Sequence, residues 1–257
     1  MLDLHTHLLP GVDDGPSTME ESVEMARLAY EDGTRTIVAT PHNRDVTERS
    51  SLSDVRDLAD RFIQELHAQS IPLRVLLGME NHLEMDTAEQ VDNGLATPIE
   101  GTHYILIELP FEFYPFYGEE VLFKLQIMGL HPIVVHPERN LAIQDNAEIL
   151  AKLVQKGALA QLTASSITGI FGKESQRSSK ELLQKNLVHI IASDCHTAWG
   201  TRKPLLSSGT AAAAKIVGKE VAIHMVESIP EAILQDRKPE LDELLKVSGR
   251  RWWSLRR

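Results

Sequence analysis

Leu2-Asp3-Leu4-His5-Thr6-His7, then Ser17-Thr18-Met19-Glu20-Glu21, then Arg35-Thr36-Ile37-Val38-Ala39-Thr40 read as one unit of strand, helix and strand, and this unit decides the fold. The apolar run at 2–5 suits a buried strand. Ser17 and Thr18 lie three residues before Glu20 and Glu21 as a capping box, and Met19, Val23, Ala26 and Tyr30 form an apolar stripe that stops at Gly33. The β-branched run at 35–40 then starts a second strand, parallel to the first because a helix separates them.

Working outward, similar runs at 73–79, 104–109, 132–136, 158–163 and 188–193 bring the strands to seven, and helices fit 52–69, 119–128, 147–156 and 176–185. Strand and helix alternate without a linker, which predicts an α/β protein: one distorted (β/α)7 TIM-like barrel, a single domain over residues 1–257. The basic, aromatic end at about 249–257, with Trp252 and Trp253, is expected to fray or dock as a terminus.

Charge and cysteine content exclude several classes of function. The net charge of −11 disfavours nucleic acid as a partner, because phosphate binding needs clustered Lys and Arg. A single cysteine, Cys195, can form neither a disulfide framework nor a thiolate zinc site. No run has the form of a signal peptide or a membrane span, so a cytoplasmic protein without stable membrane insertion is expected.

Histidine is abundant, with eleven residues, and its placement is ordered. Strand one ends in His5-Thr6-His7, whose imidazoles share a face because side chains alternate along a strand; Asp14 follows in the next loop. The later runs end in His42, Glu80, Glu108, His136 and Asp194-Cys195-His196. Parallel barrels gather their active sites at these strand ends, and so many charges in one place would cost several kcal/mol without a cation. Five imidazoles and four carboxylates imply two or three divalent ions, and nitrogen–oxygen ligation without thiolate suits Mn, Fe or Zn better than Ca. Asp3 is expected to orient a ligand histidine. His67, His82, His103, His131, His189 and His224 lie mid-helix or near strand starts and are read as structural.

Arg139 and Arg202 fall near the same rim, and cationic forks beside metals suit a phosphate oxyanion. The chemistry expected is hydrolysis of a phosphoester by in-line attack of a metal-bridged hydroxide. Cys195 does not serve a cysteine-phosphatase mechanism, which places five residues between Cys and Arg where this chain has six. It is read as a packed small apolar residue.

The segments Asp3-Leu4-His5-Thr6-His7-Leu8-Leu9-Pro10-Gly11-Val12-Asp13-Asp14-Gly15 and Ala39-Thr40-Pro41-His42 resemble the polymerase and histidinol phosphatase (PHP) superfamily. Within it the chain resembles the manganese-dependent bacterial tyrosine-protein phosphatases encoded with capsule and exopolysaccharide genes. The resemblance implies His5, His7, Glu80 and Asp194 around one ion, Glu80 bridging to a second held by Glu108 and His136, and Asp14, His42 and His196 around a third. It implies that Arg139 and Arg202 bind the phosphoryl group. Manganese is the first choice of metal, with Fe, Zn, Co or Mg as alternatives. The implied partner is a phosphotyrosine protein, an autophosphorylated tyrosine kinase of a polysaccharide export system. The competing readings are a phosphatase of a small phosphomonoester such as histidinol phosphate, and a metal-binding regulatory module without turnover.

His136→Ala is expected to remove most turnover while leaving the thermal unfolding transition in place, whereas His67→Ala changes neither. Phosphate release and unfolding measured on both variants check this sorting of histidines.

Overall fold

The computed structural model describes residues 1–241, so the Trp252-Trp253 end lies outside the described residues. Eight parallel strands run in chain order: β1 (Leu2–Thr6), β2 (Thr36–Ala39), β3 (Arg74–Leu77), β4 (Glu80–His82), β5 (Tyr104–Glu108), β6 (His131–Val135), β7 (Leu159–Thr163) and β8 (Ile190–Ala192). They form two sheets, β1-β2-β3 and β4-β5-β6-β7-β8. Short bridges join the sheets at both seams, His42 to Glu80 on one side and Thr6 to Cys195 on the other. At the second seam the Asp194 N–H donates to the His5 carbonyl at 3.0 Å and the His7 N–H to the Cys195 carbonyl at 2.9 Å. These bonds close a distorted TIM-like barrel of parallel strands, as the strand and helix pattern predicts, but with eight strands where seven were expected.

Eight strands replace seven runs because the run at 73–79 breaks around Gly78 and the chain steps from β3 to β4. The Gly78 N–H donates to the Ala39 carbonyl at 2.9 Å. A β-carbon there would stand 3.3–3.4 Å from Val38, Ile99 and Thr40, so glycine permits the close approach.

The five expected helices form at Met19–Glu31, Leu52–Ala68, Gly118–Ile127, Glu148–Gln155 and Lys173–Gln184. At the first, Thr18 Oγ1 accepts the Glu21 N–H at 3.2 Å, while the reciprocal capping box forms at Ser51 and Asp54 instead. Unexpected short helices at Asn43–Arg49 and Thr87–Asp92 span under two turns, too few for an apolar period to show. Leu206–Val217 is rich in Ala and Ser, which weakens its apolar contrast.

The strands are covered on both faces and pack two buried clusters, one including Ile105, Ile107, Val134 and Leu162, the other Leu8, Met25, Ile37 and Phe62. The segment holding Arg202 is anchored from outside the barrel. Ser165 Oγ donates to the Thr201 carbonyl at 3.1 Å, and the helix Leu206–Val217 lies with Gly209 directly against Ala164.

A β-carbon at Gly209 would fall 2.5 Å from that of Ala164. Gly209→Ala is therefore expected to cost about 1–3 kcal/mol by overpacking, lowering the melting temperature by about 2–4 °C per kcal/mol. Thermal unfolding of the variant checks the contact.

Candidate metal centre

Glu80 opens β4 almost fully buried, with imidazoles on both of its oxygens. Oε2 lies 2.9 Å from His42 Nδ1, 3.3 Å from His7 Nε2 and 3.4 Å from His5 Nε2, while Oε1 lies 2.7 Å from His136 Nε2. These side chains come from the ends of β1 and β6 and from the loop after β2, and parallel strands deliver them to one mouth.

Three overlapping donor groups can be set beside the expected sets; the first lacks Asp194 and the third gains His7. His5, His7 and Glu80 form one; Asp194 stands at its edge, with Oδ1 3.9 and 3.8 Å from the two imidazoles. Glu80, Glu108 and His136 form the second, and His7, Asp14, His42 and His196 the third. In the third, Asp14 Oδ1 lies 3.1 Å from His196 Nε2 and 3.4 Å from His42 Nε2. A fourth group, His42, His82 and Glu108, brings in a histidine read as structural. The strand break explains this: Glu80 and His82 are two apart on β4, so His82 follows Glu80 to the mouth.

The donor set fits divalent cations. Ligands around a shared ion at about 2.1 Å lie roughly 3.0–3.4 Å apart, and the triangle of His5 Nε2, His7 Nε2 and Glu80 Oε2 has edges of 3.2, 3.3 and 3.4 Å. His42 Nδ1 is buried without a hydrogen bond although Glu80 is close beside it.

Neighbours hold the rings. Asp13 Oδ2 lies 2.7 Å from His7 Nδ1, which fixes the proton there and leaves Nε2 for the centre. The amide of Gln161 stands 3.0 Å from His5 Nδ1. Asp13 escaped the sequence reading because the tandem Asp13-Asp14 does not reveal which carboxylate faces the histidines. Asp3 does not orient an imidazole; its Oδ1 accepts the Ser193 N–H at 3.0 Å, tying β1 to the end of β8. Burial pushes the Asp3 carboxyl up to about 7.

Two centre residues occupy the left-handed backbone region, His136 with φ 33° and Asp194 with φ 52°. Such non-glycine conformations cost about 1–3 kcal/mol and persist where surrounding contacts impose them. The turn at His136 leads into Pro137–Arg139, which returns Arg139 to the centre. Its Nη1 donates to Asp194 Oδ2 at 3.1 Å, and its guanidinium lies 4.5 Å from the Phe111 ring and 5.3 Å from that of Phe171. Arg202 Nη1 donates to Asp14 Oδ2 at 2.9 Å, and its Nη2 lies 2.6 Å from His196 Nε2. Both arginines are partly exposed, at 24% and 29%. On the side of the Phe111 ring opens a cleft of about 800 Å³ walled by Arg44, His82, Phe111, Phe113 and Tyr117. Cys195 is fully buried in the core, and burial pushes its thiol up, away from thiolate chemistry.

Without a cation, carboxylates hold protons on the imidazoles. Burial alone would lower His7, but the Asp13 and Glu80 carboxylates raise it to about 9. Against the same burial, Asp14 and Glu80 raise His42 to about 11. His196 goes the other way, to about 4, through burial and the nearby His7.

Residues 1–235 match the family model described as "Capsular polysaccharide synthesis, CpsB/CapC". The chain belongs to the CpsB/CapC family. It is similar to the tyrosine-protein phosphatase YwqE of Bacillus subtilis, 41% identical over 196 residues, covering 76% of this chain and 77% of that one. It is also similar to the tyrosine-protein phosphatase CpsB of Streptococcus pneumoniae, 26% identical over 251 residues, covering 92% of this chain and 99% of that one. A solved structure superposes with a TM-score of 0.86 at 36% identity over 93% of this chain and 96% of the other; it comes from work on YwqE and CpsB as "unique metal-dependent tyrosine phosphatases". A dihydropyrimidinase from Brevibacillus agri shares the fold alone, with a TM-score of 0.52 at 12% identity, covering 91% of this chain and 70% of that one.

Because His7 is raised above its unfolded value, its imidazolium stabilises the metal-free protein fully below about pH 6.5, and this contribution is lost as pH rises through about 9. The melting temperature of chelator-treated protein is expected to fall from pH 7 to pH 9.5. Mn²⁺ is expected to half-saturate at lower concentration over the same range, since it must displace that proton. Thermal unfolding and metal titration across the window check both signs.

Proposed function

We propose that this CpsB/CapC member is a metal-dependent protein-tyrosine phosphatase. It holds two or three divalent ions, manganese foremost, on His5, His7, Asp14, His42, Glu80, Glu108, His136, Asp194 and His196. Its substrate is an autophosphorylated tyrosine kinase that regulates capsular or exopolysaccharide synthesis, and it works in the cytoplasm as a single domain. The observation that carries this reading is the set of overlapping His and carboxylate groups around Glu80 with two arginine forks at their edge. Among the described residues no helix is long and apolar enough to cross a membrane.

Bound divalent ions supply Lewis-acid charge and acidify a water at neutral pH. The chain supplies orientation and charge around the phosphorus. Arg139 presents a fork restrained by Phe111 and Phe171, so little side-chain freedom is lost when it takes phosphoryl oxygens. Arg202 is held by Asp14 and His196 at the third donor group. Phe111, Phe113 and Tyr117 give the cleft an aromatic wall that suits the ring of phosphotyrosine. A phenolate, with a pKa near 10, leaves with little protonation, and Cys195 contributes no nucleophile.

Phosphate release from a phosphotyrosine peptide is expected to vanish on chelation and return with Mn²⁺. Arg139→Ala should lower kcat/KM by about 10²–10³, whereas Cys195→Ala retains turnover. Comparison with histidinol phosphate by kcat/KM discriminates the substrate class. Release that persists without metal, or a preference for histidinol phosphate, overturns the reading.

A further inference from the structure

His82 stands between two oxygen acceptors, and a chain of hydrogen bonds decides which of its nitrogens carries the proton. Gln90 Nε2 donates to Glu84 Oε2 at 2.6 Å and to Asp86 Oδ1 at 3.1 Å. Carboxylates only accept, so the carbonyl end of Gln90 must face Asn43, whose Nδ2 donates to Gln90 Oε1 at 3.2 Å. Asn43 is buried, and its Oδ1 therefore turns to His82, accepting the backbone N–H at 3.1 Å and Nδ1–H at 3.0 Å. With the proton on Nδ1, the Nε2 lone pair points at Glu108 Oε2 only 2.9 Å away. A lone pair and a carboxylate oxygen at that separation require positive charge between them.

We infer that His82 Nε2 and Glu108 Oε2 form a further divalent-cation site on the cleft side of the centre, with His42 beside it. The inference rests on reading the cluster around Glu80 as a metal centre. All three side chains offer donor atoms within 4.8 Å of one another. A gap of 2.9 Å suits adjacent ligands of an ion bound at about 2.1 Å. Glu108 divides its oxygens between two neighbours, as Glu80 does: Oε1 faces His136 at 3.6 Å and Oε2 faces His82. A metal-binding histidine typically gives its other ring N–H to a carbonyl or carboxylate, the role Asn43 fills here. Imidazole and carboxylate together suit Mn or Zn rather than Ca. The His82 side chain is 25% exposed and Glu108 is shared with the ion at His136, so this ion is held by few ligands of its own and is the most weakly bound.

The test uses the full chain, stripped with a chelator and dialysed against Mn²⁺ alone, with bound metal counted over a range of free Mn²⁺. His82→Gln is expected to shift the weakest class of bound ions at least tenfold to higher concentration, with the tighter classes and the melting temperature of the metal-free protein unchanged. Asn43→Ala keeps His82 but frees its ring, and is expected to shift the same class; it also serves if His82→Gln does not fold. Superimposable isotherms for wild type and these variants overturn the inference, since a second proton then fills the gap. A wild-type chain that binds no Mn²⁺ overturns the inference together with the metal-centre reading beneath it, whereas the phosphotyrosine assay bears on the reaction alone.

Discussion

A buried carboxylate with imidazoles on both its oxygens organises this protein. Removing a carboxylate from water costs several kcal/mol even after relaxation, and Glu80 has no route to solvent. Its neighbours answer that cost with positive charge, as protons on imidazoles or as cations in their place. Asp14 and Asp194 are likewise held well below the usual carboxylate range, against the burial that opposes ionisation; His196 acts on both, beside Arg202 at Asp14 and His5 at Asp194. The seam between β1 and β8 has to close for any of this to hold. Asp3 contributes at that seam, bonding the backbone of Ser193 next to Asp194.

The same charge economy accounts for the rim. Arg139 and Arg202 each pair with a carboxylate of the centre, so neither fork is a free surface charge. Both guanidinium groups are partly exposed beside the centre, where an anion can compete for their donors. Aromatic faces restrain Arg139 without satisfying its hydrogen bonds. Acidic net charge and a phosphate-binding site are thus compatible, because local cations and not the overall balance set the potential at the mouth.

Much of this was legible in the order of residues. Alternating apolar runs and amphipathic stripes revealed the barrel, and ligand-type side chains at the run ends all meet in one cluster. His5 and His7 are the clearest case, since a period of two leaves them no choice but one face. His67, His103, His131, His189 and His224 stay apart from the centre, as their positions suggested: His103 pairs with Asp236 on the surface, and His189 accepts the Ala160 N–H within the core. His82, read as structural, shares the face of Glu80 two residues before it, and the strand that starts at Glu80 brings both to the mouth.

Sequence by itself determined which strand ends carry ligand-type side chains, because strand periodicity and strand ends are local properties carried by neighbouring side chains. Only the tertiary structure decided the hydrogen-bond partners that select a ring nitrogen, such as Asp13 on His7 and Asn43 on His82. It also decided the left-handed turns at His136 and Asp194. Those choices depend on atoms far apart in the chain that meet only when the barrel closes, and no local pattern encodes the distances at which they meet.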